Sequence, residues 1–166
     1  MTAPINVPTA GYAISKFPDS LTTLGIGSCI VICLYSQEHQ TGALIHCMLP
    51  RTENDNSNPY RCVDTGLNQI VVELLHRGIK ITSLTAKLVG GSQMFPTIES
   101  EQSIGELNIA EATHSLHAMG IPVVASDLGG NSGRSLVFDL NNGSVSISRS
   151  AIWPTNEVDT NKPKVL

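Results

Sequence analysis

Charge is scarce in this chain and basic charge scarcer still: 14% of the 166 residues are charged, with 10 Lys and Arg against 14 Asp and Glu. At a net charge of -4, with the basic residues scattered, the electrostatic footprint of a nucleic-acid binder is missing. Long apolar runs are missing as well. No stretch approaches the roughly 20 residues of a membrane span, and Met1-Thr2-Ala3-Pro4-Ile5-Asn6 has neither the basic start nor the apolar middle of a secretory signal. A cytoplasmic location is expected. Cysteines number four, and no two stand in Cys-x₂-Cys spacing. A chain long enough to bury roughly 70% of its unfolded surface needs no disulfide staples, so free thiols in a reducing compartment are expected.

What is present is a composition 41% hydrophobic, which suits a compact, sheet-rich globule rather than a disordered chain. One domain over 1–166 is expected, with an irregular tail from about residue 150. Leu67, Ile70, Val71, Leu74 and Leu75 fall at i, i+3, i+4, i+7 and i+8, the apolar stripe of a helix. Asp64 is placed to cap its start, Glu73 and Arg77 to pair on its wet side, and Gly78 to end it in a left-handed turn. Ser103-Ile104-Gly105-Glu106 has capping-box spacing and opens a second helix that buries Ile109, Ala112 and Leu116 before Gly120.

Short strands are predicted at about 11–15, 29–35, 42–48, 84–89, 123–126, 136–139 and 144–148. Asn142-Gly143 between the last two signals a type I′ hairpin, whose central residues both need positive φ. Hairpins with two covering helices imply a mixed, largely antiparallel α/β sandwich rather than a doubly wound sheet.

One segment suits the mounting of a nucleophile. Thr22-Thr23-Leu24-Gly25-Ile26-Gly27-Ser28-Cys29 reads as a glycine-spaced loop feeding the β-branched run Ile30-Val31-Ile32. The glycines let main-chain N–H groups turn toward whatever atom the Cys29 sulfur attacks, and the strand holds the thiol still. His46 lies in a second strand-like run, 42–48. If the two strands pair with residue numbers summing to an odd value such as 75, Cys29 faces His46; a slip of one residue puts them on opposite faces. Beside a protonated His46 the thiol pKa is expected to fall. Thr23 can orient the imidazole through its hydroxyl or carbonyl. The blander reading, a core cysteine, a satisfied core histidine and a loop threonine, fits the pattern as well.

Other chemistries fit less well. On a strand, Cys29 and Cys33 stand about 13 Å apart at 3.3 Å per residue, too far to share a zinc ion. Cys33 and Cys47 read as core thiols. Gly25-x-Gly27 lacks the third glycine of a dinucleotide loop, since position 30 is Ile, and a strand follows it where a phosphate would need a helix N-terminus.

Several ordered motifs together carry a resemblance: 23–29 (Thr-Leu-Gly-Ile-Gly-Ser-Cys), 42–50 (Gly-Ala-Leu-Ile-His-Cys-Met-Leu-Pro) and 87–95 (Lys-Leu-Val-Gly-Gly-Ser-Gln-Met-Phe). Weaker support comes from Ile104-Gly105-x-x-Asn108 and from Gly129-Gly130-Asn131 with Arg134. From about 11 to 149 the chain resembles the bacterial chemotaxis family CheD, the chemoreceptor glutamine deamidases. The resemblance implies an α/β sandwich of the cysteine-deamidase type, with Cys29 as nucleophile, His46 as general acid/base and Thr23 completing a triad. Main-chain N–H groups around Gly27, Ser28 and Cys29 would hold the oxyanion. The implied substrate is a glutamine side chain on the cytoplasmic region of methyl-accepting chemotaxis receptors, hydrolysed to glutamate without metal or organic cofactor. The implied alternative is a regulatory module that engages a CheC-type phosphatase. Cys62 stands where the family often has an aromatic residue, and Leu107 where it usually has Arg.

Overall fold

A computed structural model describes residues 2–54, 57–95, 101–150 and 163–166. Its elements run β1 (Ile5–Asn6), β2 (Tyr12–Lys16), β3 (Ser20–Ile26), β4 (Ile30–Ser36), β5 (Thr41–Cys47), α1 (Val63–His76), β6 (Leu84–Gly90), α2 (Ile104–Met119), β7 (Val123–Leu128), β8 (Gly133–Asp139), β9 (Val145–Ser150) and β10 (Lys164–Val165). Two five-stranded sheets form, in the orders β1-β3-β8-β9-β10 and β2-β5-β4-β6-β7. Pairing is antiparallel except at β1–β3 and β6–β7. This is the mixed, largely antiparallel α/β sandwich that the sequence predicts.

Strands β4 and β5 are buried along their whole length, and the two-residue period divides their side chains between two cores. Ile30, Ile32 and Leu34, with Ala43, Ile45 and Cys47, meet the apolar stripes of α1 and α2. Val31, Cys33 and Tyr35, with Leu44, turn the other way to meet Leu21, Leu136, Phe138 and Ile147 of the first sheet. The layers are therefore sheet, sheet, helices. Each fully buried Ile or Leu contributes roughly 1.5–3 kcal/mol, so these central strands are the rigid platform of the molecule.

Both helices form where expected. Ser103 accepts from Glu106 N–H and Glu106 returns a bond to Ser103 N–H, completing the capping box, and Gly120 ends α2 in the left-handed region. Gly78 follows α1 with φ 82. Three details of α1 differ. The residue before its first turn is Cys62, which makes no side-chain cap, while Asp64 lies inside that turn and accepts from the N–H of Thr52 and Thr65. Leu75 is 48% exposed, at the edge of the stripe. Glu73 accepts from the Tyr60 hydroxyl, and no ion pair joins it to Arg77 among the described residues.

The strands show larger departures. Of the segment 22–29, read as loop, residues 22–26 belong to strand β3, interrupted by a register shift between Thr23 and Ile26 where Gly25 takes φ 67. The bulge hides the alternation that would have signalled a strand. The β8–β9 connection spans 140–144, with positive φ at Gly143 alone, because Asn142 accepts from Ser144 N–H and Gly143 N–H reaches back to Asp139 O. The expected tail falls largely on 151–162, outside the described residues. Its end is ordered: β10 pairs with β9, and Lys87 donates to the Leu166 carbonyl.

Candidate active site

The turn Gly27-Ser28-Cys29 joins β3 of one sheet to β4 of the other, at the end of the sandwich, and each of its carbonyls is held. Gly27 O accepts from Ser92 N–H at 3.0 Å and Cys29 O from Gly91 N–H at 2.8 Å. Ser28 O accepts from the Asn108 side chain at 2.9 Å. The glycines opposite are required. A Cβ at Gly90, whose φ is 123, would collide with the Cys29 carbonyl, and one at Gly91, φ 69, with Ile109. No backbone carbonyl among the described residues accepts from Ser28 N–H or Cys29 N–H. A turn whose carbonyls face inward and whose N–H groups stay unspent is suited to receiving an anionic oxygen.

Strand register sets the turn beside the strand that carries the histidine. Ile30 pairs with Cys47 and Val31 with His46, so paired numbers sum to 77 rather than 75. Carried one residue past the strand end, this register puts Cys29 opposite Met48. Cys29 itself lies on the turn just before β4, two residues ahead of Val31, the strand partner of His46. Both Thr23 and His46 are fully buried between the sheets.

Thr23 Oγ1 lies 2.7 Å from His46 Nδ1 and 2.7 Å from Val7 O. Thr23 stands on a strand, not on the loop expected for it, so the hydroxyl position is fixed by the ladder to β8. His46 Nε2 is buried and has no hydrogen-bond partner among the described residues. Burial lowers the His46 pKa from 6.5 to about 4, leaving a neutral imidazole at pH 7. Burial likewise raises the Cys29 thiol above its ordinary range, opposed by its own backbone N–H. The expected drop in thiol pKa is therefore not found. With no imidazolium beside it, desolvation decides, and the resting pair is thiol and neutral base.

A buried charge network props the Gly90–Gln93 loop from behind. Arg134 donates to Asp127 through Nε at 2.9 Å, to Ser92 Oγ at 2.8 Å and to Gly129 O at 2.8 Å. Arg149 and Lys164 converge on the same carboxylate. None of this network, nor Asn108 as a ligand of Ser28, follows from local pattern. The available signal was a lone Asn on the buried stripe of α2.

Two hollows open, the first against the turn and the second against the start of α2. One, of about 340 Å³, is lined by Leu24, Gly27, Met94 and Ser150 among others. The other, of about 540 Å³, is lined by Leu49, Arg51, Cys62, Ile104 and Leu107 among others. No group of three or more His, Cys, Asp or Glu is placed to hold a metal ion among the described residues. No helix among the described residues is long and apolar enough to cross a membrane.

Residues 48–149 match the sequence model of a family described as CheD chemotactic sensory transduction. A protein of Pyrococcus abyssi is 40% identical over 148 residues, 87% of this chain and 91% of its own length; it carries the name "Probable chemoreceptor glutamine deamidase CheD". Proteins of the same name from Pyrococcus horikoshii, 40% identical over 85% of this chain and 89% of their own, and from Caldanaerobacter subterraneus, 41% identical over 81% and 85%, are also similar. The chain belongs to the CheD family. Cys62 and Leu107 line one and the same hollow.

Proposed function

We propose that this CheD protein hydrolyses the carboxamide of glutamine side chains on the cytoplasmic region of chemotaxis receptors, leaving glutamate and releasing ammonia. The names of its relatives support the substrate class. The observation that carries the chemistry is the buried Thr23–His46 bond, on a strand paired with the one that follows the half-buried, free Cys29 thiol.

The Cys29 sulfur attacks the carboxamide carbon as His46 Nε2 accepts the thiol proton, so the nucleophile is generated only when substrate is in place. The N–H groups of Ser28 and Cys29, on the turn that begins at Gly27, stabilise the oxyanion. The imidazolium then gives its proton to the departing nitrogen, which leaves as ammonia, and a thioester remains. Water, deprotonated by the same Nε2, hydrolyses the thioester to glutamate. These steps need no metal or organic cofactor.

Ammonia release and mass mapping of Gln→Glu, on receptor cytoplasmic fragments treated with wild type or Cys29→Ala, tests the proposal. Release by wild type alone is expected. Folded wild type that releases none would overturn it and favour the regulatory reading, in which a CheC-type phosphatase is the partner. Methanol from methylated receptor in place of ammonia would identify an esterase.

A further inference from the structure

Asn108 is wholly buried on the stripe of α2 that also holds Gly105, Ala112 and Leu116. A side chain kept there for packing alone would be apolar, because a buried amide is costly unless its polar atoms are paired. Its Oδ1 has no hydrogen-bond partner among the described residues. Its Nδ2 donates to two backbone carbonyls, Ser28 O at 2.9 Å and Met48 O at 3.0 Å. Since both neighbours are acceptors, the atom between them must be the nitrogen.

Ser28 O and the N–H of Cys29 belong to one peptide unit, and in a trans peptide they point in opposite directions. Drawing Ser28 O toward α2 therefore turns Cys29 N–H away from it, to the side where no protein carbonyl accepts. A hydrogen bond to the oxygen also polarises the peptide and strengthens its N–H as a donor. The second bond reaches Met48, two residues beyond His46, so one side chain ties the nucleophile turn to the strand of the base. The close approach this needs is built in at Gly105, where a Cβ would run into the Gly91 carbonyl.

We propose that Asn108 is a positioning residue for acyl transfer: it sets the Ser28–Cys29 peptide so that Cys29 N–H receives the oxyanion, in fixed register with His46. The proposal rests on the reading of Cys29 as an acyl-transfer nucleophile.

Two reactions at the same sulfur separate this role from a merely structural one. Iodoacetamide alkylates the thiol by displacing iodide and forms no oxyanion. p-Nitrophenyl acetate acylates it through a tetrahedral oxyanion, forming the sulfur–carbonyl bond and releasing p-nitrophenolate. Asn108→Ala is expected to slow acylation by roughly 10-fold or more, up to the roughly 10²-fold that begins the range for outright loss of an oxyanion donor, with alkylation little changed. Asn108→Asp keeps the volume but not the paired N–H donors, and shows the same split if the alanine variant fails to fold. Circular dichroism reports folding, and Cys29→Ala supplies the background for both reactions. Equal effects on the two rates, or none, would overturn the positioning role while leaving the nucleophile intact. A wild-type thiol that alkylates but is never acylated would overturn both the nucleophile reading and the proposal.

Discussion

Thr23 Oγ1 and His46 Nδ1 stand 2.7 Å apart, and a third atom gives that bond its direction. A hydroxyl has one proton to donate. Thr23 spends it on Val7 O, 2.7 Å away, so it must accept from His46. The imidazole therefore carries its proton on Nδ1 and presents a bare Nε2, the tautomer a general base requires. Replacing Thr23 by Val keeps the shape and removes this control, leaving Nδ1 and Val7 O unpaired. We expect Thr23→Val to lower kcat for ammonia release by about 10²-fold, at the low end of what general-base catalysis contributes, with KM little changed. Thr23→Ser should recover most of the rate. A KM effect without a kcat effect would instead mark Thr23 as a substrate contact.

The low pKa of His46, about 4, gives a pH signature in both activity and stability. The unfolded chain takes up the imidazole proton near pH 6.5, whereas the folded chain resists until about 4. Between those values protonation favours the unfolded state, so stability is fully present above about 6.5 and is lost as pH falls toward 4. At about 1.4 kcal/mol per pH unit the loss is on the order of 3 kcal/mol. Urea unfolding from pH 7 to pH 4 should show this slope in wild type and a smaller one in His46→Gln. The acid limb of the rate profile for ammonia release should likewise lie below pH 5. A limb near 6.5 would mean that the imidazole is more hydrated than its buried position implies.

Raised by burial, the Cys29 thiol should behave as a reluctant nucleophile without substrate. Its alkylation by iodoacetamide at pH 7 is expected to run slower than that of an unstructured cysteine peptide and to keep rising beyond pH 9. Cys33 and Cys47, pushed higher still by deeper burial, should stay unmodified in the folded protein. Mass mapping of alkylated cysteines against pH checks both points. Rapid, pH-independent modification at pH 6–8 would show a resting thiolate instead.

The sequence is most legible where one residue type has one physical use. The stripe from Leu67 to Leu74, the Ser103–Glu106 box and the positive φ at Gly78 and Gly120 all follow from local rules, and all are found. Reading fails where a distant element decides. The segment 22–26 looks like loop because of Gly25, yet it pairs with β8 on both sides of the bulge. The register of β4 on β5 is set by the whole ladder rather than by the Cys29–His46 pair, which is why the sum is 77. The thiol pKa depends on burial and on an uncharged neighbour, neither of which spacing records. Asn108 was visible as part of a motif, but its partners lie 80 and 60 residues away.

Asp127 offers a test of how the site is supported from behind. Its side chain is 2% exposed and that of Arg134 1%. Burial draws the carboxyl pKa up, but Lys164, Arg134 and Arg149 outweigh it and hold it below the ordinary range. A depressed carboxylate stabilises the fold above its unfolded pKa, near 3.9, and loses that contribution as pH falls through the lower folded value. Asp127→Asn keeps the shape and strands the Arg134 charge in the interior, a loss of about 3–5 kcal/mol for a broken buried pair. Urea unfolding at pH 7 should show a loss of that size, and a smaller difference from wild type once the wild-type carboxylate is itself protonated. The site should feel the change as well, because Arg134 holds Ser92 Oγ and Ser92 N–H holds Gly27 O. Acylation of Cys29 in the folded variant should therefore fall more than its alkylation. Unchanged stability at pH 7 would mean that Arg149 and Lys164, at the open edge of the network, relax to let water reach Arg134.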